Sequence, residues 1–175
     1  PAFGRVAELA ADFPAHTMKL LGVTGTNGKT TTAYLLREIL KAAGQKPGMI
    51  GTVEYDVGGE SCRPADRTTP TPFQLQQLFI EMKNNGVTDA VLEVSSHALA
   101  QERLGTARFC GAVFTNLTRD HLDYHGDFEQ YYQCKKRLFS QLLDVDCPMV
   151  VNMDDPWGQR LASEVTGRKQ LTYSL

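Results

Sequence analysis

A lysine stands where the helical pattern calls for an apolar side chain. From Asp127 to Leu142 the sequence DFEQYYQCKKRLFSQL sets Phe128, Tyr131, Tyr132, Leu138, Phe139 and Leu142 at helical spacing, the buried face of one helix. Lys135 falls inside that series, whereas Lys136 points away from it. An unpaired ammonium in such surroundings is costly, so the side chain snorkels to water, pairs with an anion or gives up its charge. About a hundred residues upstream lies GTNGKTTT, Gly25 to Thr32, a loop with the residue types that cradle a polyphosphate. Gly25 and Gly28 let backbone N–H groups converge on phosphate oxygens, and the helix that follows adds its partial positive charge. Lys29 would reach the terminal phosphates and the Thr30 hydroxyl would bind Mg²⁺. Val23 occupies the place of the first glycine in G-x-x-x-x-G-K-[ST], which marks a specialised branch of the P-loop group. Together the loop and the lysine suggest a nucleotide-dependent enzyme.

The elements needed to position these groups are legible as an alternation. Lys19 to Thr24 reads as a strand, and a helix from about Lys29 to Ala43 is terminated by Gly44. Met49 to Val53 reads as a second strand, with Gly58-Gly59 as a turn between two short polar strands. Thr71-Pro72 opens a helix that closes at Gly86, with threonine as N-cap and proline at the first helical position. Ala90 to Val94, Ala112 to Thr115 and Met149 to Asn152 are further apolar strands. Asp127 with Gln130 resembles a capping box, and Asp155-Pro156 starts a last helix ending near Gly167. Short strands alternating with helices predict an α/β fold, a mostly parallel sheet flanked by helices of the P-loop NTPase kind. Residues 1–18 show no sheet pattern and are expected to be a lead-in from an upstream domain, leaving 19–175 as an ATP-binding domain. A first residue that is proline rather than methionine suggests a piece of a longer protein.

Ligands of open α/β sheets bind beyond the carboxyl ends of the strands. Glu93 closes the apolar run Ala90-Val91-Leu92, too deep for an ordinary surface carboxylate and well placed to hold Mg²⁺ against phosphates. The strand ending at Thr115 runs into NLTRDHLDYH, in which Asp120, His121, Asp123 and His125 are all possible ligands. Spacing does not choose among them.

Composition bounds the partners. An apolar fraction of 42% with 22% charged residues is that of a globular domain, and 175 residues suffice for one core. A net charge of −2 with dispersed basic residues offers no field for nucleic acid. No apolar run is long enough to insert in a membrane. Cys62, Cys110, Cys134 and Cys147 are scattered without a C-x-x-C pair, as expected of reduced thiols in a cytoplasmic protein.

GVTGTNGKTTT, DRTTPTP, EVSSHALAQERL and TNLTRDHLDYHGDFEQYYQCKKRLF together resemble the Mur ligases, over about Lys19 to Leu175. The last two segments point to the branch that extends UDP-MurNAc-L-Ala-D-Glu by a diamino acid. The resemblance implies a three-domain enzyme of which this chain is the central part. ATP would phosphorylate the γ-carboxylate of D-Glu, and the amine of meso-2,6-diaminopimelate, or of L-lysine as the alternative, would attack the acyl phosphate. By motif position, Gly25, Thr26, Asn27, Gly28, Lys29, Thr30 and Thr31 look like the ATP loop, and Asn116 like a further nucleotide-site residue. Glu93 and His121 look like Mg²⁺ ligands, with Thr30 beside them, and Lys135 matches a carbamylated lysine that would serve the same metal. Thr68, Thr69, Ser95, Gln101 and Arg103 match contacts to the muramoyl-dipeptide; Arg67 departs from the family pattern and receives no role. The competing readings are a folylpolyglutamate synthetase-like ligase, which shares the P-loop, and a nucleotide-binding module without turnover.

Overall fold

The computed structural model describes residues 2–174. Its strands are β1 Lys19–Thr24, β2 Pro47–Ile50, β3 Glu54–Asp56, β4 Arg63–Pro64, β5 Asp89–Glu93, β6 Phe109–Phe114, β7 Met149–Asn152 and β8 Gln170–Tyr173. They form one sheet in the order β4-β3-β2-β5-β1-β6-β7-β8, parallel from β2 to β8 and antiparallel only where β3 and β4 continue it. The helices are α1 Ala2–Ala10, α2 Lys29–Ala42, α3 Pro72–Asn84, α4 Ser96–Ala100, α5 Leu122–His125, α6 Phe128–Arg137 and α7 Pro156–Glu164. The α/β expectation is met, and the physical cause is visible in the central strands. Leu20, Ala90 and Leu92 face the larger core with Phe79, Phe109, Phe114 and Phe139, whereas Val23 and Val91 face a smaller one with Ala33 and Met49 beneath α2. Strands buried on both faces read as unbroken apolar runs, which is why the sequence betrayed them.

Several boundaries differ from the sequence expectation. The second strand is shifted to Pro47–Ile50, because residues 51–53 turn the chain back into the antiparallel β3, with Gly51 N donating to Glu54 O at 3.2 Å. Thr71 precedes α3 without a side-chain cap, although Pro72 does open the helix. The last helix ends at Glu164, and β8 adds a strand that the polar sequence Gln170–Tyr173 concealed. Residues 2–10, where no sheet pattern was expected, form α1, which packs on α3. The predicted Asp127–Leu142 helix is α6 followed by a π turn over Leu138–Leu142, in which the Leu143 N–H donates to the Leu138 carbonyl at 2.8 Å. The adjacent Leu138 and Phe139 of this turn are both fully buried.

The N-terminus of α7 is tied directly to the loop beyond β6. Asp155 is nearly buried; its Oδ1 accepts from the N–H groups of Trp157 and Gly158 at 2.9 and 3.1 Å, and its Oδ2 from Leu117 at 3.0 Å. Asp155→Ala is expected to destabilise the domain by ~2–3 kcal/mol, from a lost cap plus a stranded N–H. Denaturant titration measures this; a loss below ~0.5 kcal/mol would refute the assignment.

Candidate functional site

The loop between β1 and α2 is held by its neighbour beyond β6. Gly25 and Gly28 have φ of 149° and 84°, and a Cβ on Gly25 would collide with the Thr115 hydroxyl. Asn116 clasps one residue of the loop: its Oδ1 accepts from Asn27 N at 2.9 Å and its Nδ2 donates to Asn27 O at 3.1 Å. The Thr115 hydroxyl donates to the same Asn27 carbonyl at 2.7 Å. Thr118 N donates to the Thr26 hydroxyl at 3.0 Å. The loop is thus shaped before any ligand arrives.

Two lysines converge on it. Lys29 Nζ donates to the carbonyls of Gly25 and Thr26 at 3.0 and 2.8 Å. Lys135, 1% exposed, donates to the same Gly25 carbonyl at 2.8 Å, and its Nζ lies 4.6 Å from the centroid of the Tyr131 ring. Burial lowers the pKa of both; for Lys135 the fall is large, and the Lys29 charge deepens it while Asp120 opposes it. Lys136, by contrast, reaches Glu164 at 2.8 Å on the outer side. Of the three fates open to Lys135, burial removes snorkelling, and among the described residues no salt bridge pairs it with an anion; burial disfavours the charge that is left.

Glu93 ends β5 beside Val23 of β1 and is fully buried. Its Oε2 accepts from the hydroxyls of Thr30 and Thr52, each at 2.9 Å, and its Oε1 from Thr52 N at 2.9 Å. Among the described residues no salt bridge reaches it. A buried carboxylate met only by neutral donors, with a P-loop hydroxyl against it, fits a hard, oxygen-seeking cation. Among the described residues no three His, Cys, Asp or Glu side chains converge as a ready-made metal centre. The predicted set contains only two residues of those types, Glu93 and His121, so its remaining members are Thr30 and a modified Lys135.

Thr52 joins this carboxylate to a cleft, its hydroxyl lying 3.0 Å from that of Thr68. The cleft, about 330 Å³, is lined by Arg67, Thr68, Thr69, Ser95, His97, Arg103 and His121. Thr69 is nearly inaccessible; its hydroxyl donates to Glu93 O at 2.7 Å and accepts from Ser95 N at 3.0 Å. Ser95 caps α4 by accepting from Ala98 N at 3.2 Å. Arg103 lies in the turn after α4, donating to Thr69 O at 2.6 Å and to Gln101 Oε1 at 2.9 Å. Burial and the Arg67 charge both lower the Arg103 pKa, the mark of two guanidinium groups sharing one positive cleft. Gln101 also donates to the Tyr124 hydroxyl at 3.2 Å.

His121 begins α5 with φ of 52° and lies 3.4 Å from Asp120. Its ring packs edge-on against His97, with centroids 4.8 Å apart. His125 turns inward instead, 2.9 Å from the Ser96 hydroxyl and stacked on Tyr131. Burial lowers the pKa of His97 and His125, with further lowering from neighbouring positive groups. Of the four possible ligands in that loop, Asp120, His121, Asp123 and His125, His121 lines the cleft and the other three do not. Sequence reasoning missed Thr52 and gave no role to His97 or Arg67. His97 lay within a quoted motif, whereas nothing in a lone threonine after Gly51 signals its contact across the sheet.

The sequence matches the Mur ligase middle domain over residues 23–175. It is 50% identical over 173 residues to UDP-N-acetylmuramoyl-L-alanyl-D-glutamate--2,6-diaminopimelate ligase of Parasynechococcus marenigrum (strain WH8102), covering 96% of this chain and 34% of that protein. Against the ligase of the same name from Gloeobacter violaceus (strain ATCC 29082 / PCC 7421) it is 49% identical, covering 91% of this chain and 32% of the other. The chain therefore spans about a third of the length of the curated relatives it matches. A solved structure of a 2,6-diaminopimelate ligase of this name superposes with a TM-score of 0.79 at 34% identity, over 98% of this chain and 36% of that one. Mycobacterium tuberculosis folylpolyglutamate synthase, solved with ADP and AMPPCP, shares the fold at a TM-score of 0.74 and 17% identity, over 98% of this chain and 46% of its own.

Proposed function

Because this chain belongs to the Mur ligase family as its middle domain, we propose that it is the ATP-binding core of an amide ligase of peptidoglycan precursor synthesis. The ligase adds a diamino acid, meso-2,6-diaminopimelate in this reading, to the D-Glu of UDP-MurNAc-L-Ala-D-Glu in the cytoplasm. One observation carries the reading. The Glu93 carboxylate touches Thr30 of the phosphate loop and, through Thr52, reaches Thr68 of the arginine-lined cleft. A phosphoryl donor on the loop and an anionic acceptor in the cleft would therefore meet over one buried carboxylate.

The γ-carboxylate of D-Glu attacks the γ-phosphorus of ATP, ADP leaves, and the amine displaces phosphate from the resulting acyl phosphate through a tetrahedral intermediate. Lys29 exchanges its loop carbonyls for phosphate oxygens and balances their charge. Arg103 holds the acceptor carboxylate in line, and the Thr115-Asn116 clasp fixes the loop that aims the donor. Thr30, Glu93, His121 and Lys135 as its carbamate would hold Mg²⁺, which supplies charge neutralisation across the transferring phosphoryl group. Lys135 gains that anion when its neutral amine attacks CO₂: an N–C bond forms, the nitrogen gives up one proton to solvent, and the neutral amine becomes a carbamate anion.

The test is phosphate release by the intact protein. Release requiring UDP-MurNAc-L-Ala-D-Glu and diaminopimelate supports the reading, and dependence on L-lysine instead would change the added residue. Release with a folate and glutamate would favour a folylpolyglutamate synthetase-like ligase, and none with any acceptor a binding module. The 175-residue chain alone is expected to bind Mg-ATP weakly and to form no amide, since it spans about a third of the length of the relatives it matches and placing the amine near the acyl phosphate is expected to need the rest. Ligated product from the isolated chain would show that the substrate sites are misplaced.

A further inference from the structure

The turn that carries Gln101 and Arg103 is held from behind by a residue far away in sequence. Glu8 of α1 is 1% exposed. Its carboxylate accepts three bonds from Thr106: from the backbone N–H at 3.0 Å (Oε1) and 2.8 Å (Oε2), and from the hydroxyl at 2.9 Å (Oε2). Gly105 has φ of 58°, and a Cβ there would fall on the Glu8 carboxylate. Gly4, one turn before Glu8, lies so close to the same turn that a Cβ would collide with the Glu102 carbonyl. From the opposite side Arg137 donates to Glu102 at 2.6 Å and to Leu99 O at 3.1 Å. Glu102 itself sits at φ of 51°, a conformation that a non-glycine residue keeps only when its surroundings impose it.

We propose that Glu8 is a positioning residue for the acceptor cleft, fixing the 99–106 turn so that Arg103 and Gln101 present their polar groups to the anionic substrate. The proposal rests on the substrate role given to Arg103 above. Its physical basis is that a buried carboxylate spending both oxygens on one short turn removes that turn's freedom before substrate binds, so the ordering cost is not charged against affinity. The segment before β1 is thereby a working part of the site. Among the described contacts Glu8 bonds to Thr106 and not to the phosphate loop, so its influence should fall on the nucleotide-dipeptide rather than on ATP.

The experiment uses the intact enzyme with Glu8→Ala, Glu8→Gln and Gly105→Ala, measuring KM for UDP-MurNAc-L-Ala-D-Glu, KM for ATP, kcat, and amide exchange across residues 99–106. Glu8→Ala and Gly105→Ala attack the contact from its two sides and should each raise the KM for the nucleotide-dipeptide roughly tenfold while kcat and the ATP KM stay within about twofold. Glu8→Gln, which keeps the size and one acceptor, should fall between them and the parent, and it remains informative if the alanine variant does not fold. Exchange in the turn should quicken in all three. An unchanged nucleotide-dipeptide KM in a folded variant would overturn the proposal, as would equal losses toward both substrates or unaltered exchange. A parent enzyme that does not use the nucleotide-dipeptide overturns the proposed function instead, and the exchange data still decide whether Glu8 holds the turn.

Discussion

Lys29→Ala in the intact enzyme is expected to lower ATP-dependent ligation by ~10²–10³-fold or more while leaving a cooperative unfolding transition. Among the described residues the lysine's hydrogen-bond acceptors are two loop carbonyls, Gly25 and Thr26, which are the groups it would leave to meet phosphate. Its removal therefore subtracts charge at the transferring group without opening the core. Steady-state phosphate release and a denaturant melt check the two halves separately. Retention of more than a few per cent of turnover would sink the role assigned to Lys29. Collapse of the fold would instead make it structural.

Lys135 substitutions are expected to separate chemistry from stability. Burial drives its pKa far down, so folding disfavours the charged ammonium that the unfolded chain carries without cost. A lysine whose folded pKa is depressed makes folding release a proton, so stability rises with pH from the folded pKa up to the unfolded value of 10.5 and is least below that window. Lys135→Met removes this penalty and should raise the melting temperature at neutral pH, by ~2–4 °C for each kcal/mol relieved, and flatten the pH dependence. The same variant should lose ~10²-fold or more in ligation, because it cannot form a carbamate. Lys135→Ala should be equally poor and partly restored by acetate, a small carboxylate able to enter the space left. Lys135→Arg keeps a cation that does not react with CO₂ and should be no better than alanine. A Lys135→Arg enzyme nearly as active as the parent would end the carbamate proposal and leave Lys135 an ordinary phosphate-side cation.

What could be read in advance depended on whether a signal was local. The phosphate loop is contiguous, so its glycines, Lys29 and Thr30 announce themselves by spacing. Glu93 and Lys135 were visible because each breaks an apolar pattern, and a charge inside such a pattern needs a reason. The contacts that shape the site span the sheet and leave no such mark. Asn116 grips Asn27 across 89 positions, Thr52 reaches Glu93 across 41, and Glu8 reaches Thr106 across 98. Their residue types are commonplace, and only the packing of α1, β2 and β6 brings them into register. β8 was missed for a different reason: its side chains are mostly exposed, so its sequence carries no alternation to find.

The two margins of the sheet have unequal consequences for handling the protein in solution. At one margin β4 is only two residues long and ends in Pro64, whose nitrogen has no hydrogen to offer, so an approaching strand finds little to pair with. At the other, β8 runs from Gln170 to Tyr173 with Leu171 and Tyr173 turned to solvent, and its outer backbone groups form a ready template for another chain. Self-association of the isolated 175-residue chain should therefore begin at β8, rise with concentration, and be relieved by a charge or a proline on that strand.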